Sequence, residues 1–201
     1  MEAIADLGED WQYEVWSMNR RDTVNRVLPV ISYLLSDVIV FIDTVEPRRL
    51  GQFFERAQEF ASTAWAGCKA SGWQPAIVLV QNKWHHSAED PDIDITAQFH
   101  EHVDRDHTLS KIFASVHFLR IPHCQYSTVL DDASRVLRDT IFRAAFAVRQ
   151  RREAHGTLYT EHEWWTLAPL VAEEYSRTRE PISLPRMQLR SLQPLSDDHG
   201  V

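Results

Sequence analysis

Three short apolar runs recur along the chain at nearly equal intervals, and this spacing restricts the fold more than any other feature. The runs cover residues 38–42, 76–80 and 116–121, and their starts lie 38 and 40 positions apart. Two of the three are almost wholly apolar, as expected of strands that are covered on both faces of a parallel sheet. Each interval is long enough for a helix and its loops, so the spacing predicts strands that alternate with helices.

The segments between and around these runs carry the period of amphipathic helices. Apolar residues recur at steps of three and four over residues 48–66 and over residues 127–152. The same period precedes the first run over residues 24–35, whereas residues 94–113 form a more polar helical pattern. Right-handed crossovers then predict an α/β fold: a small parallel sheet of three or more strands with helices on both faces.

The long helix predicted over residues 127–152 combines an apolar stripe with many arginines. Arg135, Arg138, Arg149, Arg151 and Arg152 are interleaved with aspartates. This pattern is typical of a helix face that is exposed to solvent. These five arginines are therefore predicted to lie on a mostly solvated helix face.

The part of the chain after this helix divides into a helix and a polar segment. Thr160 and Glu163 have the spacing of a capping box ahead of an apolar pattern, which predicts a helix that packs back on the domain. The end of the chain is polar and contains prolines, which predicts a flexible tail. The predicted divisions are an N-terminal segment at 1–23, an α/β half-domain at 24–153, a C-terminal helix at 154–176 and a tail at 177–201.

Charge and composition exclude several classes of protein. The chain has 21 Lys and Arg against 29 Asp and Glu, a net charge of −8, so a protein that binds nucleic acid through a basic surface is not expected. The most apolar stretch, residues 27–42, is shorter than the roughly 20 residues that span a bilayer. Two cysteines and the lack of an apolar signal region predict a cytoplasmic protein without disulfides or a transmembrane segment.

Polar residues directly follow the second apolar run. The sequence continues as Gln81-Asn82-Lys83-Trp84-His85. A hydrophobic strand that leads into Asn-Lys resembles the base-specificity loop of P-loop GTPases, whose pattern is Asn-Lys-any residue-Asp. The resemblance extends over about residues 24–152 and is to the C-terminal half of such a domain, of the large dynamin-like or guanylate-binding type.

The resemblance implies a site for a guanine nucleotide, GTP or GDP. Asn82 would hydrogen-bond the guanine edge, and the stem of Lys83 would lie over the base. Backbone amides near His123 and Cys124 would approach the guanine oxygen. His85 stands where the family has an aspartate that accepts two hydrogen bonds from guanine, and losing such a contact costs about 1.5–3 kcal/mol. The sequence therefore departs from the family at the residue that selects guanine.

The phosphate-binding half of the family's machinery is missing from this sequence. No Gly-x-x-x-x-Gly-Lys-Ser/Thr loop is present, because Trp73 and Gln74 follow the one glycine pair with the inner spacing, Gly67 and Gly72. Without this loop magnesium is not expected as a cofactor. His100 and His102 are two positions apart and do not face each other on a helix, so no metal site is assigned. No catalytic residue is assigned either. The resemblance then implies a truncated or degenerate GTP-binding domain with at most weak purine-nucleotide binding and no hydrolysis of its own.

A non-catalytic α/β module that binds a protein partner is the alternative. In the GTPase sheet the strand at 38–42 would have a phosphate-loop strand as its second neighbour, and this chain lacks one. An open apolar edge invites pairing with other chains. Trp11, Tyr13 and Val15 alternate with polar and acidic residues. The N-terminal segment is therefore predicted to cover this edge, or the protein to self-associate through it.

Overall fold

The computed structural model of the chain describes residues 20–44, 49–68, 74–84, 97, 99–101, 103, 107–122 and 127–182. A π-helical segment, Thr23–Val27, leads into helix α1 (Leu28–Leu35). The remaining elements are β1 (Val38–Asp43), α2 (Leu50–Ala66), β2 (Ala76–Trp84), α3 (Thr108–Ile112), β3 (Val116–Pro122), α4 (Ser127–Ala154) and α5 (Glu161–Thr178). This alternation of helices and parallel strands confirms the predicted α/β fold.

The three strands form one parallel sheet in the order β1-β2-β3, so strands that follow one another along the chain are neighbours. The register aligns Phe41 of β1 with Leu79 of β2 and Phe118 of β3. Residues 76–80 of β2 are completely buried, whereas β1 and β3 are mostly half-buried. Within the described ranges, no strand pairs with the outer edge of β1 or of β3.

Helix α2 covers one face of the sheet through an aromatic layer. Phe41 lies 5.7 Å from Phe53 between ring centroids, and Phe118 lies 5.7 Å from Phe54. Apolar residues spaced by three and four positions bring both α2 phenylalanines to the buried side of the helix. Side chains of a strand alternate between the two faces. The intervening strand residues therefore point to the opposite face, which α4 covers.

Helix α1 lies at the amino ends of the strands and joins several elements there. The Tyr33 hydroxyl donates a 2.6 Å hydrogen bond to the carbonyl oxygen of Ile112, just after which α3 ends. Burial raises the pKa of Tyr33, so this donor keeps its proton. The predicted capping box at the start of α5 is present, and Trp164 of α5 donates to the carbonyl oxygen of Leu35 at 2.9 Å. Helix α5 thus packs back on α1.

Two local features differ from the sequence predictions. Strand β2 does not end at Val80: it continues to Trp84, because β3 runs alongside it and Asn82 pairs with Ile121. The register shifts between Asn82 and Trp84, where the two strands end. Within the stretch expected to be helical over residues 94–113, the described residues 97, 99–101 and 103 are helical, but His107 has a left-handed backbone with φ of 50° and α3 begins only after it, at Thr108.

Arg152 was expected to be solvated and is buried, with a relative exposure of 4%. It lies near the end of α4 and donates hydrogen bonds of 3.3 Å to the carbonyl oxygens of Leu34 and Ser36. Its guanidinium also lies 3.0 Å from the carboxylate of Asp37, directly before β1. Burial lowers the pKa of Arg152, and the Asp37 carboxylate acts in the opposite direction. This residue fastens α4 to the junction of α1 and β1.

Two parts of the predicted organisation lie outside the described residues. These are the N-terminal cover at residues 1–18 and the tail beyond residue 182. In the part of the chain that the structure covers, no helix has the length and apolar character needed to cross a membrane.

We expect Arg152→Ala to lower the free energy of unfolding by roughly 3 kcal/mol, because it leaves the Asp37 carboxylate without its ion-pair partner and two carbonyl groups without their buried donor. The neighbouring Arg151 is exposed, so Arg151→Ala is the matched control and should change stability by less than about 0.5 kcal/mol. Urea unfolding followed by circular dichroism measures both. Equal effects of the two substitutions would contradict the structural role of Arg152.

Gly67, which follows α2, is expected to tolerate no side chain. A Cβ atom there would lie 2.2 Å from Cγ2 of Val30, a fully buried residue with a stiff branched side chain. Gly67→Ala should therefore destabilise the protein by about 1–3 kcal/mol. Gly51→Ala is the control: a Cβ at this position in α2 meets no atom within 4 Å, and we expect a gain of about 0.5–1 kcal/mol. Thermal unfolding of the two variants gives the sign of each effect.

Candidate functional site

The carboxyl ends of the three strands meet at one edge of the sheet, and this edge is the candidate site. Strand β1 ends at Asp43, and β2 and β3 carry polar residues at the same height. Ligands of open parallel sheets bind beyond the carboxyl ends of the strands. Helix α4 also begins at this edge, because its other end contacts Asp37 at the amino end of β1.

A row of polar side chains crosses the edge on the face that α2 covers. The strand register places Asp43, Gln81 and Arg120 side by side. Arg120 Nε donates to Gln81 Oε1 at 3.2 Å, and Arg56 of α2 approaches Asp43 Oδ2 at 2.6 Å. Gln81 is completely buried, so its side-chain amide depends on protein partners. We call Asp43, Gln81, Arg120 and Arg56 the polar row.

The opposite face of the same edge carries Asn82. Because neighbouring residues of a strand point to opposite faces, Asn82 projects away from the polar row and toward the α4 side. It is half-buried and pairs with Ile121 of β3. On β1 the exposed residue of this face is Ile42, whose relative exposure is 55%. This side of the edge therefore combines an amide, which can both donate and accept hydrogen bonds, with accessible apolar surface.

The structure describes only part of the predicted nucleotide site. Asn82 and the backbone of Lys83 lie within β2, rather than in a loop that follows the strand. His85, His123 and Cys124 lie outside the described residues. The structure thus places the Asn-Lys pair at the carboxyl end of the central strand, but it does not describe the remaining predicted site residues.

The polar row contains residues to which the sequence prediction gave no role. Arg120 interrupts the apolar run at 116–121, and a charged residue inside a buried strand is the signal that could have identified it. Asp43 is the last residue of β1 and forms an ion pair with Arg56 of α2. In the sequence, Gln81 is the first polar residue after the apolar run at 76–80. In the structure it is still inside β2 and is buried.

Other reactive side chains lie away from this edge. Burial raises the pKa of the Cys68 thiol to about 12, so this cysteine stays protonated and unreactive near neutral pH. Cys68 follows α2 at the amino side of the sheet. His117, near the start of β3, lies on the same side of the sheet. Burial lowers the pKa of His117, which lies 3.0 Å from the Ser115 hydroxyl. Among the residues that the structure describes, no group of three or more side chains could hold a metal ion.

No family model, curated protein or solved structure matches the chain. The chemistry of the carboxyl edge therefore rests on its own residues: an anchored polar row on one face, and Asn82 with its apolar neighbours on the other.

We expect Gln81→Leu to destabilise the fold by about 1–2 kcal/mol, since Arg120 loses the acceptor that the buried Gln81 side chain supplies. Gln52→Leu, at an exposed position on α2, makes the same chemical change without removing a buried contact and should be nearly neutral. Chemical denaturation of both variants tests the comparison. If Gln81→Leu proved as harmless as its control, the polar row would not stabilise this edge.

Proposed function

We propose that this chain is a GTPase-like α/β domain that binds a purine nucleotide weakly at the carboxyl edge of its sheet and does not hydrolyse it unaided. The observation that carries the proposal is the position of Asn82. It is a half-buried amide at the carboxyl end of the central strand, in a parallel sheet with the order β1-β2-β3. Base recognition needs a donor and an acceptor at such a position, and an amide supplies both.

The residues around Asn82 suit the purine ring of a nucleotide better than its phosphate groups. Ile42 and Ile121 provide apolar surface on the same face of the sheet, suited to the plane of a purine. The phosphates have no matching partner in the sequence, which contains no phosphate-binding loop. We therefore expect a dissociation constant weaker than about 1 μM, because most of the affinity for a nucleotide would come from its phosphates.

Calorimetric titration with GDP, GTP and ADP tests the proposal. We expect weak binding that does not depend on magnesium and is lost in Asn82→Ala. Asn25→Ala, at an exposed position before α1, is the matched control and should bind as the unmodified protein does. Lys83→Ala should weaken binding, whereas Lys111→Ala on the exposed side of α3 should not. A phosphate-release assay should give a rate equal to that of buffer.

His85, at the position that selects guanine in the family, allows a second and independent test in the same titration. His85→Asp restores the carboxylate of the Asn-Lys-any residue-Asp pattern and should raise the affinity for GDP relative to ADP by roughly tenfold or more. An unchanged preference would remove the loop after β2 from the proposed site. Nanomolar, magnesium-dependent binding of GDP would contradict the proposal, since it would require a phosphate site that the sequence does not show.

A protein-interaction module is the second candidate, and the outer side of α4 favours it. Phe142 and Phe146 are 66% and 64% exposed there, although both are large and apolar. Absence of binding to every nucleotide at millimolar concentration would favour this alternative. In a nucleotide-binding protein, by contrast, replacing both phenylalanines should leave the titration unchanged, because they lie on the side of α4 that faces away from the sheet.

A further inference from the structure

Helix α4 presents a continuous stripe of exposed side chains on the side away from the sheet. Residues spaced by three and four positions are neighbours on a helix. The exposed residues with this spacing are Arg135, Arg138, Phe142, Phe146 and Arg149, and we call them the outer surface of α4. Two exposed phenylalanines one turn apart are bounded on both sides by arginine. The outer surface is therefore both apolar and basic.

The charge of this helix is opposite to that of the whole chain. Helix α4 contains six arginines against three aspartates and one glutamate, whereas the chain has a net charge of −8. Arg135 and Arg138 form ion pairs with Asp132 and Asp139 of the same helix. Arg149 forms no ion pair with any residue that the structure describes. Positive charge is thus concentrated around the two exposed phenylalanines.

The first 19 residues have the complementary composition. They contain five acidic residues and no lysine, arginine or histidine, together with Trp11, Tyr13 and Trp16. Acidic groups are attracted to arginines, and aromatic rings bind well to both phenylalanine rings and guanidinium groups. This segment directly precedes Arg20, where the described part of the chain begins.

We infer that residues 1–19 bind to the outer surface of α4. Charge favours this location over the open edge of β1 that the sequence predicted. Asp37 and Asp43 lie at the two ends of β1 and are already paired with Arg152 and Arg56, so these ion pairs carry no net positive charge to attract an acidic segment. The outer surface of α4 offers arginines instead. The inference is independent of the proposed nucleotide site.

The segment is long enough to reach this surface within one chain. Residues 20–35 are helical and span about 22 Å, and Phe146 lies about 9 Å along α4 from Arg152. Arg152 contacts the carbonyl group of Leu34, so the two helices meet at these ends. With about 10 Å for this contact, the path from Arg20 to Phe146 is at most about 40 Å. Nineteen extended residues span about 60 Å.

Hydrogen exchange of the full chain, followed by mass spectrometry, tests the inference. Peptides from residues 1–19 should exchange several-fold more slowly than the same sequence as a free peptide. Replacing both phenylalanines by alanine (F142A together with F146A) should remove this protection, and so should 0.5–1 M salt, which screens the arginines. Trp165→Ala is the matched control: Trp165 is an equally exposed aromatic residue, at 65%, on α5, and its removal should change nothing in residues 1–19.

The same measurement distinguishes the inferred contact from other positions of residues 1–19 and from other occupants of the outer surface of α4. Protection that rises with protein concentration would support the same contact formed between two copies of the chain. Protection that is lost in Ile42→Lys but kept in the double phenylalanine variant would assign the segment to the β1 edge and overturn the inference. Exchange of residues 1–19 at the free-peptide rate would overturn it as well. In that case binding of the full chain to anionic vesicles, lost in the phenylalanine variant, would assign the surface to a membrane.

Discussion

The complete burial of β2 is the constraint on which the rest of the structure depends. Residues 76–80 have no exposed surface. The backbone groups of such a strand must be paired on both sides, and its apolar side chains must be covered on both faces. Strands β1 and β3 meet the first requirement, and helices α2 and α4 meet the second. The aromatic layer of Phe41, Phe53 and Phe118 then follows from closing one face of a sheet that is only three strands wide.

The burial of β2 also explains the character of its carboxyl end. The strand turns polar at Gln81 while it is still covered, so this side chain needs a partner inside the protein. Arg120 of β3 supplies one at the same height of the sheet. Asn82 follows on the other face, where coverage is incomplete. The polar row therefore stabilises the edge on the α2 side, whereas Asn82 lies half-buried on the α4 side, where we propose that a purine binds.

Sequence patterns predicted the elements better than their ends or their exceptional residues. The period of the apolar residues predicted helix α2, and the alternation of strand and helix patterns predicted a parallel sheet. Both patterns depend on burial that repeats along the chain. The end of β2 could not be read from composition, since pairing with Ile121 extends the strand past its last apolar residue.

Arg152 was misjudged because charged residues are usually exposed. Its position continues the four-residue steps of the buried Ala144 and Val148, and that phase was the available signal. Of the candidate site, the sequence identified Asn82 by its place after the second apolar run. It gave no role to Arg120, whose partner lies on another strand.

Helix α4 connects the two ends of the sheet, and only one of its sides packs against the other described elements. Its inner side covers β2, and its last turns hold the junction of α1 and β1 through Arg152. These contacts use one side of the helix only. The stripe from Arg135 to Arg149 takes no part in them, so its sequence is not constrained by the core. A helix that needed only to be soluble on this side would gain nothing from two neighbouring phenylalanines, because contact of their apolar surface with water is unfavourable. Their presence between arginines is best explained by a contact that buries them, and the acidic, aromatic residues at the start of the chain have the composition for that contact.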